Sequence, residues 1–392
     1  MTRLLSLYSL TFFFLILGKP IHTRAELIIT LGGDLNLNPS GELPDAQGAC
    51  KHGRCFSWRE VFQNLEPLLI GELNFYNLET VVTDGSNLER PHGGRFLFRT
   101  HPEGIRYAKK IGLNWVSMAN NHVGDYGPEG LLNTLESLET MAQEPGVLFF
   151  HGTARTRSEV LEPALLEFES KTEGRVRIAF AAVTFVRNTP MQISDKNPGV
   201  IYPENPKDMK RLLKNFKELK ADYKVLSIHG GKEKGYRLDD WQERTYEYYL
   251  ENGDLDLIIG HHPHRVRPVE RIGNKVIFYS LGNYLMLGAG SLNTLGPSED
   301  YGLLARLALK RNSQGRLEIT KMEAIPLFNM HSQVYPLTES DGRRRITELN
   351  LLSREELGDK ALTWDYTSKG WGQVCFIHCE RWPQTYQTHL LP

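Results

Sequence analysis

Apolar positions in this chain fall into two patterns that take turns. Runs rich in β-branched and aromatic residues occur at Leu27–Leu31, Phe75–Leu78, Trp115–Met118, Arg177–Phe185, Val225–Ile228, Leu255–Ile259 and Val276–Leu281. Continuous runs of this length suit strands covered on both faces. Helical spacing appears between them. Pro128 opens Glu129–Met141, where Leu131, Leu135 and Leu138 recur on one face. A second helix is expected from Pro206 to about Tyr223, through Met209, Leu212, Phe216 and Leu219, and a third from about Asp239 to Glu251. Strands alternating with helices predict α/β layers. Residues 36–57 and 84–101 read as loops, rich in Gly, Pro, Asn and His.

Two segments break the alternation. Arg3 precedes an apolar stretch from Leu4 to Gly18, shorter than the roughly 20 residues of a membrane span. Thr23 and Ala25 follow where a signal peptidase reads small residues, so residues 1–25 are expected to be a secretory signal, with an uncleaved anchor as the alternative. The main domain is expected over 26–330. Residues 331–392 change to a charged, helix-compatible stretch and then to Trp364, Trp371 and Trp382, which predicts an extension packed on that domain.

Composition adds limits. The chain has 392 residues, with 46 Lys plus Arg against 47 Asp plus Glu, a formal charge of −1 that argues against nucleic acid as a partner. An exported chain meets oxidising conditions, so the close pairs Cys50/Cys55 and Cys375/Cys379 are expected in disulfides. Their connectivity stays open, and the neighbouring His52 and His378 keep a structural metal as the alternative.

The candidate chemistry sits where the strands end. Gly32-Gly33-Asp34 follows the first, Asn77-Leu78-Glu79 ends the second, and Ala119-Asn120-Asn121-His122 follows the third. The Val225 strand ends at His229, and the Leu255 strand runs into Gly260-His261-His262-Pro263-His264. Carboxyl ends of strands are where α/β sheets place their sites. Carboxylate and amide oxygens mixed with imidazoles suit Mn, Fe or Zn better than Ca or Mg, and the set is large enough for two ions sharing a carboxylate. Such a pair clamps an in-line displacement and lowers the pKa of a water. There is no G-x-x-x-x-G-K-[ST] loop and no G-x-S-x-G elbow, so neither triphosphate nor serine-hydrolase chemistry has support.

The order of these motifs, together with Val123-Gly124-Asp125-Tyr126-Gly127, His229-Gly230-Gly231-Lys232-Glu233 and Tyr279-Ser280-Leu281-Gly282-Asn283, resembles the CapA family of poly-γ-glutamate capsule biosynthesis proteins over about residues 27–290. That family is in turn similar to the calcineurin-like metallophosphoesterases. The resemblance implies a four-layer α/β/β/α sandwich with a dinuclear divalent centre. By it, Asp34 and His264 would hold one ion, and Asn121, His229 and His262 the second, with Glu79 bridging. His122 would steady the substrate or protonate its leaving group, and Asp125 would orient His122. An N-cap role ahead of Pro128 is the alternative for Asp125. Two departures stand out. Asp34-Leu35-Asn36 replaces the usual Asp-x-His, which would leave one ion short of a ligand, and Gly230 replaces a usual Trp, which would widen the pocket mouth.

These readings imply an exported metal-dependent hydrolase acting on an anionic polymer or phosphoester in capsule or polyglutamate biosynthesis. The alternative is a non-catalytic assembly factor for a membrane-bound polymer synthase or export complex.

Overall fold

The computed structural model describes residues 26–39, 43–51, 53–85, 88, 96–188, 191–288 and 301–377. Its principal strands are β1 (Leu27–Asn36), β2 (Leu73–Leu78), β3 (Trp115–Ser117), β4 (Phe149–His151), β5 (Ala164–Ser170), β6 (Gly174–Thr184) and β7 (Tyr223–His229). They continue as β8 (Leu257–His261), β9 (Val269–Ile272), β10 (Lys275–Phe278), β11 (Asn283–Met286), β12 (Tyr301–Arg311), β13 (Leu317–Phe328) and β14 (Gly372–Cys375). The longer helices are α1 (Pro102–Lys110), α2 (Gly127–Gln143), α3 (Pro206–Glu218), α4 (Gln242–Asn252) and α5 (Glu339–Leu357).

Two sheets result. One runs β14-β13-β12-β1-β2-β3-β4, with β11 added beside β1; the other runs β5-β6-β7-β8-β10-β9. Strands β1 through β4 pair in parallel, as do β6, β7, β8 and β10, while the β12–β13 hairpin is antiparallel. The period-2 geometry of strands explains the layering. On β6, Ile178, Phe180 and Ala182 belong to the core between the sheets, whereas Ala179, Ala181 and Val183 face the outer cluster of α3 and α4. Phe75, Trp115 and Phe180 meet edge to face across the inner core at 5.3–5.8 Å. Ser227 Oγ donates to Ser117 Oγ at 3.0 Å, tying one sheet to the other. Met209, Leu212 and Phe216 on α3 cover the outer face, each side chain contributing about 1.5–3 kcal/mol by burial. The architecture is therefore an α/β sandwich of two stacked sheets flanked by helices.

Several boundaries move from expectation. The helix from Pro206 ends at Glu218, because Leu219 turns extended and Tyr223 already opens β7. The third helix begins at Gln242, behind Trp241. The run Val276–Leu281 does not form one strand. β10 stops at Phe278, Gly282 takes a φ of 67°, and the chain crosses to the other sheet as β11. The expected loop at 36–57 contains a hairpin, Gly48–Lys51 with Arg54–Ser57, closed by a Cys50–Cys55 disulfide. Cys375 is disulfide-bonded as well, and its partner lies outside the described residues, so these cysteines are not ligands of a structural metal. Beyond residue 330, β14 extends the larger sheet and buries Trp364 and Trp371. Trp382 and the expected secretory signal at 1–25 lie outside the described residues. No described helix is long and apolar enough to cross a membrane.

Candidate metal centre

Strand ends from both sheets converge because the backbone is shaped to let them. β1 carries an irregularity between Leu31 and Asp34, where Gly33 passes the Leu281–Gly282 turn. A Cβ on Gly33 would stand 1.9 Å from the Gly282 carbonyl oxygen, so only glycine allows Asp34 N to donate to that oxygen at 2.9 Å. After β8, His262 and His264 adopt φ of 96° and 54° on either side of Pro263. Non-glycine residues occupy this left-handed region at a cost, and such strain gathers at functional sites. Here it directs the imidazoles of His262 and His264 toward Asp34 and Glu79. The turn after β3 is pinned by Asn120, whose Nδ2 donates to Leu78 O at 2.7 Å while its Oδ1 accepts from His122 N at 3.0 Å.

Glu79 is the hub. Its Oε1 lies 3.5 Å from His229 Nε2, 3.8 Å from His264 Nε2 and 3.9 Å from His122 Nε2. Two sets of potential ligand atoms form around it, each with members within 4.8 Å of one another: Asp34, Glu79 and His264 in one, and Glu79, His229 and His262 in the other. Asn121 Oδ1 joins the second set, 2.6 Å from His229 Nε2. Asp34 Oδ2 lies 3.2 Å from His264 Nδ1, and Oδ1 accepts from Asn77 Nδ2 at 2.9 Å. Asn283 Oδ1 holds His264 Nδ1 at 2.8 Å. His122 Nδ1 meets Asp125 Oδ2 at 2.7 Å, and the same carboxylate oxygen accepts from Phe98 N at 2.7 Å. The Phe98 ring lies against His122, centroids 4.3 Å apart.

Burial and mutual charge displace the proton affinities strongly. Burial pushes the Glu79 carboxyl well above its ordinary range, against the pull of His264, and Asp34, Asp125 and Glu233 push it further. Burial also opposes ionisation of Asp34, but contacts with His261 and His264 outweigh it and hold Asp34 well below the usual carboxylate range. Burial and the neighbouring His262 drive His229 well down; burial and His264 drive His262 to about 3. His264 goes the other way, to about 10, because Glu79 and Asp34 overcome its burial. His229 and His262 are thereby neutral, the state in which an imidazole ligates metal, whereas Glu79 and His264 would each release a proton on binding an ion. The donor set also fits an ion on its own evidence. Both oxygens of Glu79 and Nδ1 of His262 are buried with no hydrogen-bond partner among the described residues, a costly state that a cation relieves.

Every residue expected at the site, Asp34, Glu79, Asn121, His122, Asp125, His229, His262 and His264, lies in this one cluster. Asp125 contacts His122 rather than capping α2, whose N-cap position is Tyr126. The space beside Gly230 is not open, since a Cβ there would meet the Phe185 ring at 3.1 Å. Sequence reasoning assigned no role to Asn77, which contacts both Asp34 and His229, or to His261, whose Nδ1 lies 3.3 Å from Asp34 Oδ1. Strand parity carried a signal for His261. It pairs in register with His229, and residues 257 and 259 of the same strand face the inner core.

Comparison with known proteins follows the same lines. The family described as bacterial capsule synthesis protein PGA_cap matches residues 28–287. The chain belongs to this family. Among its relatives is the PGA biosynthesis protein CapA of Bacillus subtilis (strain 168), 27% identical over 311 residues, covering 78% of this chain and 75% of that one. The capsule biosynthesis protein CapA of Bacillus anthracis is 26% identical over 186 residues, 47% of this chain and 42% of that one. Among solved structures, the calcineurin-like phosphoesterase YfkN from Bacillus subtilis aligns with a TM-score of 0.46 at 13% identity, over 84% of this chain and 98% of that one. The capsule-synthesis match spans β1 to β11, and so contains every strand end that contributes to the cluster.

Proposed function

We propose that this capsule synthesis family member is an exported, metal-dependent hydrolase acting on an anionic polymer or phosphoester. The observation that carries this reading is Glu79, a buried carboxylate without a donor that is shared by two sets of ligand atoms. Asp34 and His264 would hold one divalent ion, Asn121, His229 and His262 the other, with Glu79 between them. Mn, Fe or Zn fits this mixed oxygen and nitrogen set. Bound there, the ions would supply Lewis-acid charge and activate a water for attack.

The remaining chemistry belongs to the protein. Asp125 ties down His122 Nδ1, so Nε2 is the ring atom that faces the cluster and can hold a proton at the leaving group. Phe98 fixes both members of the pair, Asp125 through its backbone N–H and His122 through its ring. With a net charge of −1, the chain would draw an anionic substrate through bound ions rather than through a basic surface. Disulfide formation at Cys50–Cys55 supports an oxidising compartment, where a membrane-bound polymer synthase or exporter would be the working partner.

The test is hydrolysis of a generic phosphodiester and of polyglutamate by the purified chain, with and without Mn²⁺, alongside metal analysis. Metal-dependent turnover that disappears with metal in His262→Ala is expected. A chain that takes up metal but hydrolyses neither substrate would point to the assembly-factor role, and one that takes up none would exclude the metal centre.

A further inference from the structure

His261 stands out as a polar group that packing alone does not justify. It ends β8 directly beside His229 in register, and it is fully buried. Its ring lies on Phe75, centroids 5.6 Å apart, deep between the sheets. Neither ring nitrogen has a hydrogen-bond partner among the described residues, and the ring belongs to neither set of potential ligand atoms around Glu79. A leucine or phenylalanine would fill this volume without burying two unsatisfied polar atoms. Its Nδ1 lies 3.3 Å from Asp34 Oδ1, without the alignment of a hydrogen bond.

The two oxygens of Asp34 have different company. Oδ1 accepts from Asn77 and faces His261; Oδ2 faces His264 Nδ1 at 3.2 Å and the backbone N–H of His262 at 3.3 Å. Resting on the metal-centre reading above, we propose that His261 is a positioning residue: its Nδ1–H closes on Asp34 Oδ1 from behind and holds the carboxylate with Oδ2 turned toward the ion shared with His264. Asn36, two residues beyond Asp34, does not serve this purpose, because its Oδ1 already accepts from Asn38 N at 2.9 Å. Ligand carboxylates held by hydrogen bonds bind metal more tightly because their orientation is already fixed.

The experiment is Mn²⁺ titration by calorimetry and by electron paramagnetic resonance on the full chain, comparing wild type, His261→Phe and His261→Asn. Phenylalanine keeps the ring volume against Phe75, and asparagine offers an N–H near the position of Nδ1. His261→Phe is expected to weaken one of two Mn²⁺ sites by roughly 10–100-fold and to remove the spin coupling of the pair, with the metal-free melting temperature unchanged or raised. His261→Asn is expected to recover most of the affinity. Wild-type affinity at both sites in His261→Phe would overturn the positioning role while leaving the metal centre intact. A wild-type chain that binds no Mn²⁺ would overturn the metal-centre reading and this role with it.

Discussion

Glu79 and Glu270 are both fully buried carboxylates, and each sits in a group of three potential metal ligands. Their neighbours differ in kind. Glu270 lies with Glu243 and Glu247 of α4, and Tyr279 Oη donates to its Oε2 at 2.6 Å. Lys360 Nζ bridges Glu243 and Glu247 at 2.8 and 2.5 Å. A fixed ammonium thus stands inside the cluster, and Glu270 relieves the remaining charge by keeping a proton: burial and the facing Glu247 raise its pKa to about 8. The arrangement joins α4 and β9 to the segment where Leu362 N donates to Val269 O at 2.8 Å. Around Glu79 there is no lysine within ion-pair distance among the described residues. Imidazoles take that place, and once neutral they offer lone pairs instead of charge. A carboxylate cluster with a resident ammonium reads as a clasp, whereas one ringed by imidazoles reads as a metal centre.

The largest effect is expected from Glu79→Ala. Removing the shared ligand should take bound Mn²⁺ from about two ions per chain to about none, measured by elemental analysis. Glu270→Gln should leave metal content unchanged, which is the sharpest contrast between the clusters. Asp125→Ala comes next: His122 loses its anchor, and kcat should fall roughly 10–100-fold with metal content retained. A lower metal content in that variant would move Asp125 into the ligand framework. The smallest effects belong to the clasp. The folded-state pKa of Glu270, about 8, lies above the ordinary 4.5 of a glutamate, so its contribution to stability is complete below about pH 4.5 and is lost as pH rises through 8. Melting curves should show Glu270→Gln abolishing that decline, with its largest gain over wild type near pH 8. Lys360→Ala should cost no more than a few degrees, as expected for a half-exposed ion pair.

The strand ends were legible because continuous apolar runs followed directly by Asp34, Glu79, His229 or the His261–His264 stretch mark both a buried strand and its functional terminus. The layered α/β fold was legible from the same alternation. The β12–β13 hairpin was not singled out, because its apolar residues lack the polar terminal signal that made the other strands conspicuous. Chain direction was harder still: Val276–Leu281 reads as one apolar run, yet Gly282 turns it between two sheets. Asn77 and His261 escaped assignment for a different reason. Asn77 pairs beside Asp34 within one sheet, but its contact with His229 and that of His261 with Asp34 cross between the sheets at 3.2 and 3.3 Å, and neither composition nor spacing carries that information. Asp125 had two plausible roles, and its 2.7 Å contact with His122 Nδ1 selects between them.

The central claim is that Glu79 joins two ions into one centre. Anomalous X-ray scattering from Mn²⁺-loaded crystals tests it most directly. Two anomalous peaks are expected to flank the Glu79 carboxylate, one beside Asp34 and His264 and one beside Asn121, His229 and His262. Peaks confined to the Glu243–Glu247–Glu270 cluster, or absent from the Glu79 side chain at saturating Mn²⁺, would contradict it.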